Sequence, residues 1–146
     1  MRISLIQSQS EKGKVAENIQ HHVELLEKAI ESNPALLIFP ELSVTGYEPE
    51  LAKELATDIN DERFYPFQKL SDKYDVVIGV GMPIHDTDGI NIGMILFQPE
   101  NDRLLYTKHI LHEDEWPFFV SGECQPVLNI KGKKIALGIC YETLQK

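Results

Sequence analysis

Three residues of this 146-residue chain combine a base, a cation and a nucleophile: Glu41, Lys108 and Cys140. Each stands just past a run of apolar or strand-favouring residues. Ala35-Leu36-Leu37-Ile38-Phe39-Pro40 leads to Glu41, Arg103-Leu104-Leu105-Tyr106-Thr107 to Lys108, and Lys134-Ile135-Ala136-Leu137-Gly138-Ile139 to Cys140. Neighbouring strand ends in an α/β sheet can converge on one pocket even when far apart in sequence. A free cysteine thiol is mostly protonated at neutral pH. A carboxylate within hydrogen-bond reach can take its proton, and a nearby ammonium favours the thiolate. Such a trio can attack a carbonyl or nitrile carbon and hold the anion that develops.

The elements that must position these residues follow from periodicity. Residues 2–7 form a short apolar strand candidate. Val15, Ile19, Val23, Leu26 and Ile30 recur at spacings of four, four, three and four, one stripe of an amphipathic helix that Asn33-Pro34 ends. Residues 35–39 are continuously apolar, as in a strand buried on both faces. This β–α–β opening favours a layered α/β fold with a right-handed crossover. A short helix is expected over residues 50–57 and an amphipathic one over 62–74, with Pro66 near its start. Residues 75–82 read as a buried strand. Residues 90–98 and 103–108 flank Pro99-Glu100-Asn101-Asp102, a hairpin signature. Residues 109–124 read as irregular. Residues 126–130 and 134–139 flank Lys131-Gly132-Lys133, a second hairpin. With no repeat and no linker, one domain is the reading.

Composition excludes several functions. The net charge of −9 disfavours nucleic acid or an anionic membrane surface as partner, since both need basic patches. No stretch approaches eighteen apolar residues, and the opening Met1-Arg2-Ile3-Ser4-Leu5-Ile6 turns polar too soon for a signal peptide. Two cysteines form no disulfide framework, so a reducing, cytoplasmic setting with free thiols is expected.

Phe39-Pro40-Glu41, then Tyr106-Thr107-Lys108 with Ile110-Leu111-His112, then Gly138-Ile139-Cys140-Tyr141-Glu142 resemble, in that order, the three active-site segments of the carbon–nitrogen hydrolase (nitrilase) superfamily. The resemblance runs from Arg2 to the end. It implies an α/β fold, the four-layer α-β-β-α sandwich, truncated at its C-terminal side, with residues 1–146 as the incomplete N-terminal part of a carbon–nitrogen hydrolase domain. It implies a cysteine-dependent hydrolase of amide, carbamoyl or nitrile bonds working through a thioester, with amidase favoured over nitrilase. Glu41 would be the base, Lys108 the cation and Cys140 the nucleophile, and the Tyr141 N–H would help hold the oxyanion. Many members carry a second glutamate after the lysine. Glu115 is assigned to that role by its place before Pro117-Phe118-Phe119, with Glu113 as the alternative. The resemblance requires no metal and no cofactor, and its partner is a small amide or nitrile. The full-length protein is expected to be a homodimer or higher homo-oligomer.

Ordinary readings stand beside these. Cys140 could be a buried strand cysteine, Glu41 a loop carboxylate, Lys108 a strand-end charge facing water and Glu115 a surface charge. The whole could be a truncated, non-catalytic homologue serving as an assembly or binding module. A thiol redox role for Cys140 lacks a Cys-x-x-Cys motif. Cys124 reads as incidental. His109, His112, Glu113 and Asp114 fit no standard zinc spacing. His21-His22 falls mid-helix and is expected to face solvent.

Overall fold

The computed structural model describes residues 1–145. Strands β1 (Ile3–Leu5) and β2 (Leu36–Ile38) lie side by side and parallel, and helix α1 (Val15–Ile30) connects them. Strand β2 pairs parallel with β3 (Val77–His85). Strand β3 then pairs antiparallel with β4 (Ile90–Phe97), and β4 antiparallel with β5 (Leu104–Thr107). The sheet order is therefore β1-β2-β3-β4-β5. Strands β6 (Leu128–Ile130) and β7 (Lys133–Ile135) pair as a separate hairpin. The fold is mixed α/β.

Alternation along the strands sorts side chains into two cores, as the period of two requires. Leu37, Ile78, Val80, Met82, Ile95 and Phe97 point to one face. There they meet Val15, Ile19 and Leu26 of α1, and Phe64, Phe67 and Leu70 of the segment around helix α3 (Tyr65–Tyr74). Leu36, Val77, Ile92, Met94 and Leu96 point to the other face, where Leu111, Phe119, Leu128, Ile130 and Ile139 cover them. Burial on both faces explains why these strands read as unbroken apolar runs.

Helix α1 keeps its expected bounds. The segment predicted as a helix over 62–74 splits into a 3-10 turn, Glu62–Phe64, and α3, with the Asp61 side chain accepting the Arg63 N–H at 2.9 Å. Residues 49–55 likewise split into a 3-10 turn, Pro49–Leu51, and the short helix α2 (Ala52–Leu55).

Three expectations are corrected. His22 does not face solvent. It is fully buried and stacks on Phe39 with ring centroids 4.0 Å apart, while its neighbour His21 is exposed. The spacing 15, 19, 22, 26 places His22 on the buried stripe of α1. The run 134–139 is not one strand, because β7 ends at Ile135. The Ile139 N–H turns instead to the Glu142 carboxylate at 2.7 Å. A tight β3–β4 hairpin, closed by the Asp86 N–H on the Gly89 carbonyl at 2.9 Å, stands where only two separate strands were expected.

Candidate active site

Glu41 sits in a turn directly after β2, and the neighbouring strand holds that turn in place. Phe39 N–H donates to the Gly79 carbonyl at 2.9 Å and Val44 N–H to the Gly81 carbonyl at 3.0 Å. The Gly81 N–H reaches back to the Ser43 hydroxyl at 3.3 Å. From the helix side, the buried Asn18 donates to the carbonyls of Val44 at 3.0 Å and Glu11 at 2.8 Å. Leu42, next to Glu41, takes a left-handed conformation with φ 50°. A bulky residue accepts that conformation only where the surroundings enforce it.

Lys108 follows β5 directly, and its N–H donates to the Ile92 carbonyl of β4 at 2.9 Å. Its side chain is fully buried, yet it is charged and satisfied. Nζ donates to Glu41 Oε1 at 2.7 Å and to Glu115 Oε1 at 2.6 Å. Glu115 is 2% exposed, whereas Glu113 lies at the surface. The Glu115 carboxylate also accepts the His112 N–H at 2.8 Å and the Tyr47 hydroxyl at 3.2 Å. A buried ammonium between two carboxylates, each with further partners, meets the condition under which buried charge is tolerated.

Cys140 opens a 3-10 turn, Cys140–Leu144, with its own φ at 47°. A non-glycine residue held there is strained by roughly 1–3 kcal/mol. The thiol is exposed, and it lies near enough to the Glu41 carboxyl to oppose the rise in its pKa, as the smallest of the influences on that group. Glu41, Lys108 and Glu115 therefore form one hydrogen-bonded cluster drawn from three separate segments, with the Cys140 turn beside it. Tyr141 follows Cys140 and packs edge-on against the His112 ring, with centroids 4.9 Å apart.

The charges of the cluster pull against one another. Burial raises the Glu41 pKa above the ordinary carboxylate value, and Lys108 opposes this without cancelling it. Burial alone would lower the Lys108 pKa, but its bonds to Glu115 and Glu41 outweigh that and raise it. Burial together with the neighbouring Glu115 charge pushes the Tyr47 phenol up, so it stays a donor to Glu115 at neutral pH. The centre can thus keep an ammonium charged while its base sits closer to neutrality than a free carboxylate.

Sequence reasoning missed Tyr47 and Glu142. Tyr47 lies six residues past Glu41, in the stretch read only as a loop. Glu142 accepts hydrogen bonds from Ile139, Tyr106, His109 and Ile110. Tyr47 carries no signal in sequence, and Glu142 falls within the Cys140 segment without its bonds across segments showing there. Cys124 is exposed and stands apart from the cluster, its N–H donating to Thr107 Oγ1 at 2.8 Å. Among the described residues no group of three or more His, Cys, Asp or Glu side chains is arranged to hold a metal ion. Among them, too, no helix is long and apolar enough to cross a membrane.

The carbon-nitrogen hydrolase family profile matches residues 2–146, and the chain belongs to that family. It is 27% identical to a glutamine-dependent NAD(+) synthetase of Aquifex aeolicus, over 97% of this chain and 26% of that protein. A CN-hydrolase superfamily protein from Xanthomonas campestris, solved with an arsenic adduct in its active site, superposes with a TM-score of 0.86. The identity there is 22%, over 96% of this chain and 53% of the other. The amidase from Nesterenkonia sp. AN1, in a mutant complexed with butyramide, superposes with a TM-score of 0.82 at 24% identity. That match spans 97% of this chain and 56% of the amidase. At these identities the structural likeness speaks for the fold alone. The chain spans about a quarter of the synthetase and about half of the two solved proteins.

Proposed function

We propose that this chain carries the nucleophile-bearing part of a cysteine-dependent hydrolase of non-peptide carbon–nitrogen bonds, an amidase rather than a nitrilase. One observation carries the reading. A fully buried Lys108 is held between Glu41 and Glu115, and the Glu142 carboxylate ties the turn that presents the exposed Cys140 thiol to the strand end bearing Lys108. The preference for amides rests on the amidases among its structural neighbours, one of them complexed with butyramide. A small aliphatic amide is accordingly the substrate class. The helix-covered face, the sheet and the β6–β7 hairpin stacked on its far side would be the first three layers of the family's four-layer sandwich.

The chemistry then runs in two halves. The Cys140 proton passes to the Glu41 carboxylate as the sulfur bonds the amide carbon. The carbonyl electron pair moves to oxygen, where Lys108 Nζ and the Tyr141 N–H hold the charge. Lys108 has three N–H donors and gives one to each carboxylate, which leaves the third for this oxygen. Collapse expels ammonia or an amine, which takes the proton from Glu41, and a thioester remains. Water gives a proton to Glu41 as its oxygen adds to the thioester. A second collapse releases the acid, and the Cys140 thiolate recovers the proton. Glu115 and Tyr47 keep Lys108 aimed throughout.

Ammonia release from butyramide by the full-length protein tests this. Cys140→Ala should abolish it and Glu41→Gln should lower it severely, with both variants folded. Undiminished release by Cys140→Ala would overturn the mechanism. Butyronitrile turned over as fast as butyramide would move the reading to nitrilase.

A further inference from the structure

The Cys140 turn and the strand end bearing Lys108 are fastened together at one carboxylate, that of Glu142. One oxygen accepts the Ile139 N–H at 2.7 Å and the Tyr106 hydroxyl at 2.9 Å. The other accepts the His109 N–H at 2.7 Å and the Ile110 N–H at 3.3 Å. Ile139 precedes Cys140 directly. Tyr106 lies in β5, and His109 and Ile110 follow Lys108. Both flanks of the cysteine–lysine pair thus end on the same side chain.

All four partners are donors, so the site requires a group that only accepts, and an ionised carboxylate is such a group. Burial and the neighbouring Glu142 charge push the Tyr106 phenol up and keep it a donor. Beyond Glu142, the Cys140 turn is held by its own local bonds, such as Thr143 Oγ1 on the Cys140 carbonyl at 2.7 Å, and by Tyr141 packing on His112. It is a five-residue 3-10 segment, its N-cap Ile139 offers no polar side chain, and Cys140 begins it at φ 47°. A strained conformation persists only where its surroundings over-determine it.

We propose that Glu142 is a positioning residue that fixes the Cys140 sulfur relative to Lys108 and Glu41, and thereby the reactivity of the thiol. This rests on the catalytic reading of Cys140 and Lys108 above. Glutamine in its place would have nearly the same shape, but its NH2 group would face two donors. Two of the four bonds would be lost and replaced by repulsion, so this substitution tests polarity with shape held constant.

The test is the rate of iodoacetamide alkylation at pH 7 in the full-length protein, resolved for Cys140 and Cys124 by peptide mass, together with the kcat and KM of amide turnover. In the parent protein Cys140 should react faster than Cys124. Glu142→Gln should slow Cys140 by about tenfold at pH 7, the equivalent of one charge-assisted hydrogen bond. Cys124 should be unaffected, and amide turnover should lose kcat with KM unchanged. Tyr106→Phe removes one donor without repulsion, so its effect should be smaller and in the same direction. If Cys140 in the parent protein reacts no faster than Cys124, the catalytic reading itself fails. If the parent Cys140 is fast and Glu142→Gln equally fast, only the role of Glu142 is overturned. Should Glu142→Gln not fold, Tyr106→Phe decides, and an unchanged alkylation rate and kcat there overturn the proposal.

Discussion

Gly81 lies directly beneath the turn that carries Glu41. A Cβ at Gly81 would stand 2.3 Å from the Leu42 nitrogen, 2.6 Å from the Pro40 carbonyl oxygen and 2.9 Å from the Glu41 carbonyl carbon. All three are backbone atoms of the base-bearing turn, which is itself bonded to β3 on both sides of the contact. The position of the carboxylate therefore depends on a side chain that is missing from the neighbouring strand. Gly79, two residues earlier, is also crowded, at 2.7, 2.9 and 3.2 Å, but by the side-chain ends of Ile38, Met94 and Leu96.

That contrast gives a prediction. Gly81→Ala must move backbone, so it should cost about 3 kcal/mol or more and displace Glu41. Gly79→Ala meets side chains that can rotate away, and should cost about 1 kcal/mol while leaving the site intact. Urea unfolding measures the first difference, and the alkylation rate of Cys140 the second. Equal losses at both positions would count against the turn being wedged on β3.

On the proposed mechanism, the raised pKa of Glu41 sets the acid limb of activity. A general base must be ionised, and burial favours its protonated form in the folded protein. Activity should therefore rise with pH through a value above 4.5, the ordinary carboxylate reference. Removing the Lys108 charge, as in Lys108→Met, takes away the opposing pull and should raise the Glu41 pKa further, as read by NMR titration of its carboxyl carbon. It should also destabilise the fold by about 3–5 kcal/mol, since two carboxylates lose their shared cation. A kcat/KM profile whose acid limb falls at or below 4.5 would argue against Glu41 as the buried base.

Much of this arrangement was legible in the sequence because it rests on local pattern. The runs around Leu36, Ile78 and Ile95 are buried on both faces, and that condition leaves an apolar signature. The stripe from Val15 to Ile30 gave α1 its bounds. Glu41, Lys108 and Cys140 each follow an apolar run, which made them candidates before any geometry was known. What was hidden depends on contacts between segments. Glu142 is an unremarkable acid until Tyr106, His109, Ile110 and Ile139 converge on it. The choice of Glu115 over Glu113 at Lys108 is made by burial, which two glutamates so close in sequence do not disclose. Asp88-Gly89 does carry a hairpin signal in sequence, and the spacing 15, 19, 22, 26 puts His22 on the apolar stripe of α1.

His22 offers the last prediction. It is fully buried against Phe39, and among the described residues neither ring nitrogen has a hydrogen-bond partner. Burial lowers its pKa from 6.5 to about 4, with the Asn18 carbonyl one turn earlier opposing this weakly. The folded protein thus holds the ring neutral, whereas the unfolded chain takes up a proton as pH falls below about 6.5. Stability from this residue is fully present above pH 6.5, declines as pH drops and levels off below about 4. Between pH 7.5 and pH 5 the loss should be about 2 kcal/mol, at 1.36 kcal/mol per pH unit. His22→Leu fills a similar volume and cannot titrate. At pH 7.5 it should change stability by no more than about 1.5 kcal/mol, and it should lose about 2 kcal/mol less than the parent on going to pH 5. Comparing the two proteins by urea unfolding at both pH values cancels the other titrating groups. A stability difference that does not vary with pH would mean that His22 is protonated, or solvated, in the folded protein.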